Sequence, residues 1–356
     1  MKILHTSDLH IGSPLTSRLS AEKVRERKSE LLATFERMVE EAAYRRVRIF
    51  IIAGDLFDSE RITKSAAERV LGAIARCPSV DFLYLSGNHE KNALKESGVA
   101  FPENLKLFGE DWTYFDYGEV CVVGRSEITE NMFDSLSLDY TKTNIAVLHG
   151  ELREGKSAGE TIGKRELEGK HVDYLALGHY HSYSKEEISD TGIAVYAGTP
   201  EGRGFDEVGE KGFVIIDADG RCARHEFHTF AKRTLRIIDV DLTGAVCRAD
   251  VDSRVDAALV RIPHTDLIRV RLTGKRIPEL FPDEDAIKSR WQNSFYHFEI
   301  KDESGIRIDP EDYKYDRSLK GEFIRLVSSR SELSDIEKDK IIRTGLAALM
   351  GECDEI

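Results

Sequence analysis

Five short hydrophobic runs in the first half of the chain each end in a cluster of aspartate, asparagine or histidine, and this recurrence limits the possible folds more than anything else. The run 2–6 leads into Asp8-Leu9-His10, and 48–53 into Gly54-Asp55-Leu56-Phe57-Asp58. The run 81–85 leads into Gly87-Asn88-His89-Glu90, 145–148 into His149-Gly150, and 172–177 into Gly178-His179-Tyr180-His181. Short apolar runs closed by glycine and polar residues fit strands buried on both faces. Between the early runs, residues 21–46 carry Val24, Leu31, Leu32, Phe35, Met38, Val39 and Ala42 on one helical stripe. Residues 64–76 form a second helical pattern, with Thr63 as N-cap and Val70, Leu71 and Ile74 facing inward. Strand–helix–strand order predicts right-handed crossovers and partly parallel strands. In such sheets ligands gather beyond the carboxyl ends of the strands, which is where all five motifs would lie.

From about residue 111 the pattern turns richer in strands, at 113–117, 119–124, 193–197, 213–217 and 224–229. The expectation is an α/β protein in which a second sheet packs on the first as a β-sandwich flanked by helices. A boundary near Phe230 separates residues 1–230 from a small α+β domain, 231–330. Within it, strands are expected at 235–242, 267–272 and 295–300 and helices at 250–259 and 283–292. The tail 331–356 reads as a helix over 331–350, with Leu333, Ile336, Ile342, Leu346 and Leu349 apolar. Such a helix either packs back on its own chain or docks a partner.

Composition narrows the class. With 41% hydrophobic and 32% charged residues among 356, the chain is an ordinary globular one. No apolar run approaches the roughly 18 residues of a membrane span. A cleaved leader is not expected, because its removal would take Asp8 and His10 with it. The scattered cysteines Cys77, Cys121, Cys222, Cys247 and Cys353 form no Cys-x-x-Cys pair, so free thiols in a cytoplasmic protein are expected. The net charge of −13 counts against unaided nucleic-acid binding. Part of that acidity is candidate ligand carboxylate, which bound cations would neutralise.

The chemistry follows from the residue types. Asp8 and His10, two apart at a strand end, point the same way. Asp55 after Gly54 can bridge two ions, Asn88 offers an amide oxygen, and His149, His179 and His181 offer imidazoles. His89, beside Asn88, is free to act as a proton donor, and Asp58 is expected to hold that imidazole in its useful tautomer. Nitrogen and oxygen donors without thiolate favour Mn²⁺ and also admit Fe²⁺, Zn²⁺ or Co²⁺. Two such ions held close together suit the hydrolysis of phosphate esters. Each motif alone is weak; the ordered series is specific.

This order of motifs resembles the calcineurin-like metallophosphoesterase superfamily over roughly residues 1–230. The resemblance implies a four-layer β-sandwich with Asp8, His10, Asp55 and His181 on one metal and Asp55, Asn88, His149 and His179 on the other. It implies His89 as the catalytic histidine. Leu4-His5-Thr6-Ser7-Asp8-Leu9-His10-Ile11-Gly12 and Gly54–Asp58 are similar to SbcD-type DNA repair nucleases. The runs 197–205, 209–212 and 321–325 resemble the YhaO branch of that group. For that group the resemblance implies a capping domain, DNA as substrate, a homodimer, and a coiled-coil ATPase partner of the SbcC or YhaN kind. Arg203, Arg269 and Arg271 are then candidates to contact the DNA backbone. The alternative is a phosphodiesterase or phosphatase for small or protein-bound phosphates. The chain departs from SbcD-type sequences at Glu90, where those usually carry aspartate, and in its short tail.

Overall fold

Side chains of strand β1 (Lys2–Thr6) go alternately to two different cores, Ile3 to one and Leu4 to the other. The computed structural model describes residues 1–15, 19–87, 89–90, 93–219, 222–277, 280–307 and 313–349. The chain divides into two units, Met1–Leu235 and Arg236–Ile356.

In the first unit β1 is followed by α1 (Ala21–Tyr44), β2 (Ile49–Ala53), α2 (Lys64–Ala75), β3 (Asp81–Leu85), α3 (Ala93–Glu96) and β4 (Leu105–Leu107). Ser20 and Thr63 cap the two long helices by accepting from the amides of Lys23 and Ala66. Strands β1 to β4 are parallel neighbours. A second series comprises β5 (Thr113–Asp116), β6 (Val120–Gly124), β7 (Thr143–His149), β8 (Glu151–Arg153), β9 (Thr161–Gly163), β10 (Tyr174–Gly178), β11 (Ser184–Glu187) and β12 (Ile193–Tyr196). The unit's last hairpin, β13 (Gly212–Asp219) and β14 (Cys222–Thr229), returns to pair antiparallel with β1.

The described strands form one sheet in the order β14-β13-β1-β2-β3-β4 and another in the order β11-β12-β10-β7-β6-β5. Their facing sides share one core, in which Ile3, Ile49, Ile51 and Leu83 meet Val122, Ile145, Val147 and Ala176. On the outer side of the first sheet, Leu4, Phe50, Ile52 and Phe82 pack against Phe35, Met38, Val70 and Ile74 of α1 and α2. This double burial is why the runs carry no polar alternation. The outer side of the second sheet is covered by Met132, Phe133 and Leu167 from short 3-10 turns and by Ile162 of the short strand β9. The four layers are therefore helices, sheet, sheet and an irregular cover.

In the second unit β15 (Leu235–Asp241), α4 (Arg248–Leu259), β16 (Leu267–Thr273), β17 (Lys275–Arg276), α5 (Glu284–Trp291), β18 (His297–Asp302) and β19 (Gly305–Ile306) follow in order. The sheet β15-β16-β18 carries Val240, Ile268, Val270 and Phe298 against Val251, Val255 and Ile287 of the helices. Two further helices, α6 (Leu319–Ser328) and α7 (Asp335–Leu349), pack through Ile324, Val327, Ile342 and Leu346. The expected tail helix thus packs on its own chain along one face, while Ile336 stays 83% exposed. Among the described residues no helix is long and apolar enough to cross a membrane.

Candidate metal centre

The pairing of β1 with β2 continues past the strand ends into the first two motifs. Asp8 donates its amide to the Gly54 carbonyl at 3.0 Å, and His10 to that of Asp55 at 2.9 Å. The two loops therefore run side by side with their acids on one rim. Asp8, His10 and Asp55 hold left-handed backbone angles (φ of 53°, 47° and 51°), and His179 has φ of 108°. Such angles disfavour residues with a Cβ, and their concentration here marks backbone strained to aim side chains.

The glycines of the motifs make room for the neighbouring motif. A Cβ on Gly54 would lie 2.1 Å from His149 Nδ1, and one on Gly87 would lie 2.1 Å from Asp55 Oδ1. Three strand ends from two sheets can meet this closely only if no side chain stands between them.

The convergence is tight. The Nε2 atoms of His10 and His181 face each other at 3.3 Å. His10 Nε2 is 3.6 Å from Asp55 Oδ2, and His149 Nε2 is 3.3 Å from the same oxygen. Donor atoms of Asp8, His10 and His181 lie within 4.8 Å of one another, and so do those of Asp8, Asp55 and His149. His149 Nδ1 lies 2.9 Å from the Ala53 carbonyl oxygen, which fixes the proton there and leaves Nε2 buried with no hydrogen-bond partner. A buried, orphaned imidazole nitrogen beside two carboxylates fits a divalent cation. The electrostatics agree. Burial opposes charge on both partners, yet the His149 imidazole, with His10 and His89, holds Asp55 down at about 2. Asp55 and Asp8 in turn push His149 up to about 9 against its burial. The carboxylates create a field that holds positive charge.

His89 stands at the mouth, 56% exposed, with Nε2 4.0 Å from Asp55 Oδ2 and its ring edge-on to His10 at 5.2 Å. His179 lies beside the cluster rather than within it. Its ring is edge-on to His149 at 5.8 Å, and its amide donates to Asp8 Oδ1 at 3.0 Å. Asn88 lies outside the described residues.

Asp58, expected to hold His89, instead has its Oδ1 3.1 Å from His10 Nδ1 and 3.1 Å from Arg203 Nη1. Continuation of the β1–β2 pairing past Ile11, whose carbonyl accepts from the Asp58 amide at 3.2 Å, turns Asp58 toward the first motif. The Arg203 guanidinium pairs with Glu207 and Asp58. Arg269 and Arg271 lie on β16 of the second unit, paired with Glu299 and Asp239 at 2.8 Å and 2.7 Å.

Sequence reasoning missed several supporting groups. Glu90 is fully buried and accepts from the amides of Leu56 and Phe57 at 2.9 Å and 2.6 Å, locking the loop that carries Asp55. Burial pushes its carboxyl up to about 7. Ser7 Oγ donates to Asp8 Oδ2 at 2.5 Å, and Lys211 Nζ to the His181 carbonyl at 2.6 Å. Glu207 lies 2.7 Å from His181 Nδ1. The only signal of Glu207 in the sequence is its place between two motifs, 197–205 and 209–212, and that says nothing of where its side chain goes.

Residues 1–183, more than half of the chain, match the model of the calcineurin-like phosphoesterase family. The chain belongs to that family. Among curated proteins this phosphoesterase is similar to the metallophosphoesterase YhaO of Bacillus subtilis, at 24% identity over 263 residues, covering 69% of this chain and 64% of YhaO. It is 26% identical to the DNA double-strand break repair protein Mre11 of Methanopyrus kandleri, over 67% of this chain and 59% of Mre11. It is also 23% identical to the SbcD nuclease subunit of Staphylococcus epidermidis, over 96% of this chain and 97% of that one. The chain thus spans less than two thirds of the first two relatives and nearly all of the third. Phosphoesterases of this family use divalent metals, in keeping with the donor set gathered here.

Proposed function

We propose that this phosphoesterase is a DNA nuclease subunit that hydrolyses phosphodiester bonds at a dinuclear centre, with Mn²⁺ as the working ion. One position would be held by Asp8, His10 and His181, and the other by Asp55 and His149 with Asn88 and His179, Asp55 bridging the two. The observation that carries this reading is the meeting of His10 Nε2 and His181 Nε2 at 3.3 Å, beside carboxylates, from strand ends of two different sheets. When bound, the two cations would supply an activated water and positive charge for the phosphate oxygens.

The chain's own residues do the rest. Asp8 and Asp55 set the charge of the site, and the Ala53 carbonyl keeps the His149 lone pair at Nε2. His89, exposed and only 4.0 Å from Asp55, can reach a substrate and donate a proton from its ring to the departing oxygen. DNA as substrate is supported by the name of the Mre11 relative, and an SbcC-like partner by that of the SbcCD subunit; a coiled-coil ATPase of the SbcC or YhaN kind is part of the same proposal. A homodimer and a cytoplasmic location belong to the same proposal.

The test is cleavage of end-labelled single- and double-stranded oligonucleotides with Mn²⁺, with and without that ATPase. Metal-dependent cleavage abolished by Asp55→Asn is expected. No cleavage under either condition would refute the nuclease reading. The net charge of −13 favours a second reading, a phosphodiesterase for small substrates. Turnover of bis(p-nitrophenyl) phosphate without any DNA cleavage would select it.

A further inference from the structure

Arg203, its side chain only 15% exposed, reaches several groups beside the centre. Its Nη1 donates to Asp58 Oδ1 at 3.1 Å. Its Nε and Nη2 donate to Glu207 Oε1 at 3.0 Å and 2.6 Å, and its own amide donates to Glu207 Oε2 at 2.7 Å. Each of these two carboxylates also meets one histidine. Asp58 Oδ1 lies 3.1 Å from His10 Nδ1, an ion-pair distance without hydrogen-bond geometry. Glu207 Oε1 lies 2.7 Å from His181 Nδ1, and Arg203 Nη2 lies 3.1 Å from that same nitrogen. The far nitrogens of those same rings are the pair that converge at 3.3 Å.

We propose that Arg203 is a positioning residue that joins Asp58 and Glu207 into one clamp, fixing both His10 and His181 as ligands of a single cation position. A carboxylate beside Nδ1 favours the proton there and leaves Nε2 as the donor; at His181 the Glu207 oxygen, at 2.7 Å, is nearer than the Arg203 nitrogen at 3.1 Å. A planar guanidinium suits this task because its fork holds two carboxylates in fixed relative orientation, which an ammonium does not. The other position is built differently. The Nδ1 of His149 is set by the backbone carbonyl of Ala53, which the clamp does not touch. The two cation positions therefore have separable supports, one made of three side chains and the other of main chain.

This inference rests on the dinuclear reading, and it makes a prediction of sign. On charge alone, removing the Arg203 cation would tighten binding of a nearby Mn²⁺. If Arg203 acts by positioning, its removal weakens binding instead.

The test is titration of the metal-free full chain with Mn²⁺ by calorimetry, together with electron paramagnetic resonance of the loaded protein. The wild type is expected to bind two equivalents and to show a spin-coupled pair. Arg203→Met and Glu207→Ala are expected to weaken one equivalent by about 10- to 100-fold, to spare the other, and to lose the spin coupling. Glu207→Gln keeps an oxygen for the His181 ring and is expected to recover part of the affinity. Unchanged or tighter binding of both equivalents in Arg203→Met and Glu207→Ala would overturn the clamp, as would equal weakening of both. If DNA affinity falls while metal binding stays intact, Arg203 is a phosphate contact instead. Fewer than two equivalents in the wild type would refute the dinuclear reading itself.

Discussion

Replacing Gly87 by alanine adds one methyl group against the carboxylate proposed to bridge the two ions. The new Cβ would stand 2.1 Å from Asp55 Oδ1, 2.5 Å from the Asp55 amide nitrogen and 2.8 Å from its Cγ. Ordinary contact begins near 3.4 Å, so Asp55 or the Gly87 loop must yield by roughly 1 Å. The Gly87 backbone lies outside the left-handed region, so alanine fits the chain itself and the whole effect is this contact. Forcing a methyl into a packed site costs about 1–3 kcal/mol of stability. A misplacement of that size in a reacting centre costs about 100-fold in rate. The assay is Mn²⁺-dependent turnover of bis(p-nitrophenyl) phosphate, with thermal unfolding measured in parallel. Gly118→Ala is the control. Its φ of +80° strains a non-glycine residue, but nothing lies within 4 Å of the added Cβ, so stability falls while activity holds. Wild-type turnover in a folded Gly87→Ala protein would refute the claim that the motif glycines exist to let ligands approach.

His89→Asn is expected to lower turnover by about 100- to 10,000-fold while Mn²⁺ stoichiometry stays at the wild-type value; loss of metal would make it a ligand instead. Glu30 gives a pH prediction away from the centre. Burial pushes its carboxyl up, but Arg233, Lys232 and Arg27 outweigh that and hold it at about 2, down from 4.5. Because the folded pKa is the lower one, this stabilisation is complete above about pH 4.5 and is lost as pH falls toward 2. The side chain is only 5% exposed, so at most about 3 kcal/mol is involved. Unfolding curves of the wild type and Glu30→Gln should converge over that window; a constant gap would contradict the assignment.

The sequence is most legible where both neighbours of a residue in space are strands of the same kind. The runs 2–6, 48–53 and 81–85 read as doubly buried strands because their apolar side chains find a core on either face, Ile49 one and Phe50 the other. The helix at Ala21–Tyr44 follows from its apolar stripe. Contacts across long stretches of chain are what the sequence does not show. Glu207 and Arg203 meet Asp58 and His181 only after the loop between β12 and β13 folds over the strand ends, and no local periodicity encodes that approach. Sequence places Asp58 among the histidines, and the structure sets it 3.1 Å from His10 Nδ1. Proximity along the chain says nothing of the continued β1–β2 pairing that turns it to His10. The helix Leu319–Ser328 also goes unread, since its residues 321–325 stand out only as a family-like motif. Glu90 is visible as a departure, but its burial beneath the Asp55 loop is a tertiary fact.

The central claim is that two strand-end clusters make two cation positions sharing Asp55. Anomalous diffraction at the manganese edge, from crystals of the full chain soaked in Mn²⁺, tests it most directly. Two peaks are expected, one among Asp8, His10 and His181 and the other against Asp55 and His149. A single peak, or peaks away from these side chains, would contradict it.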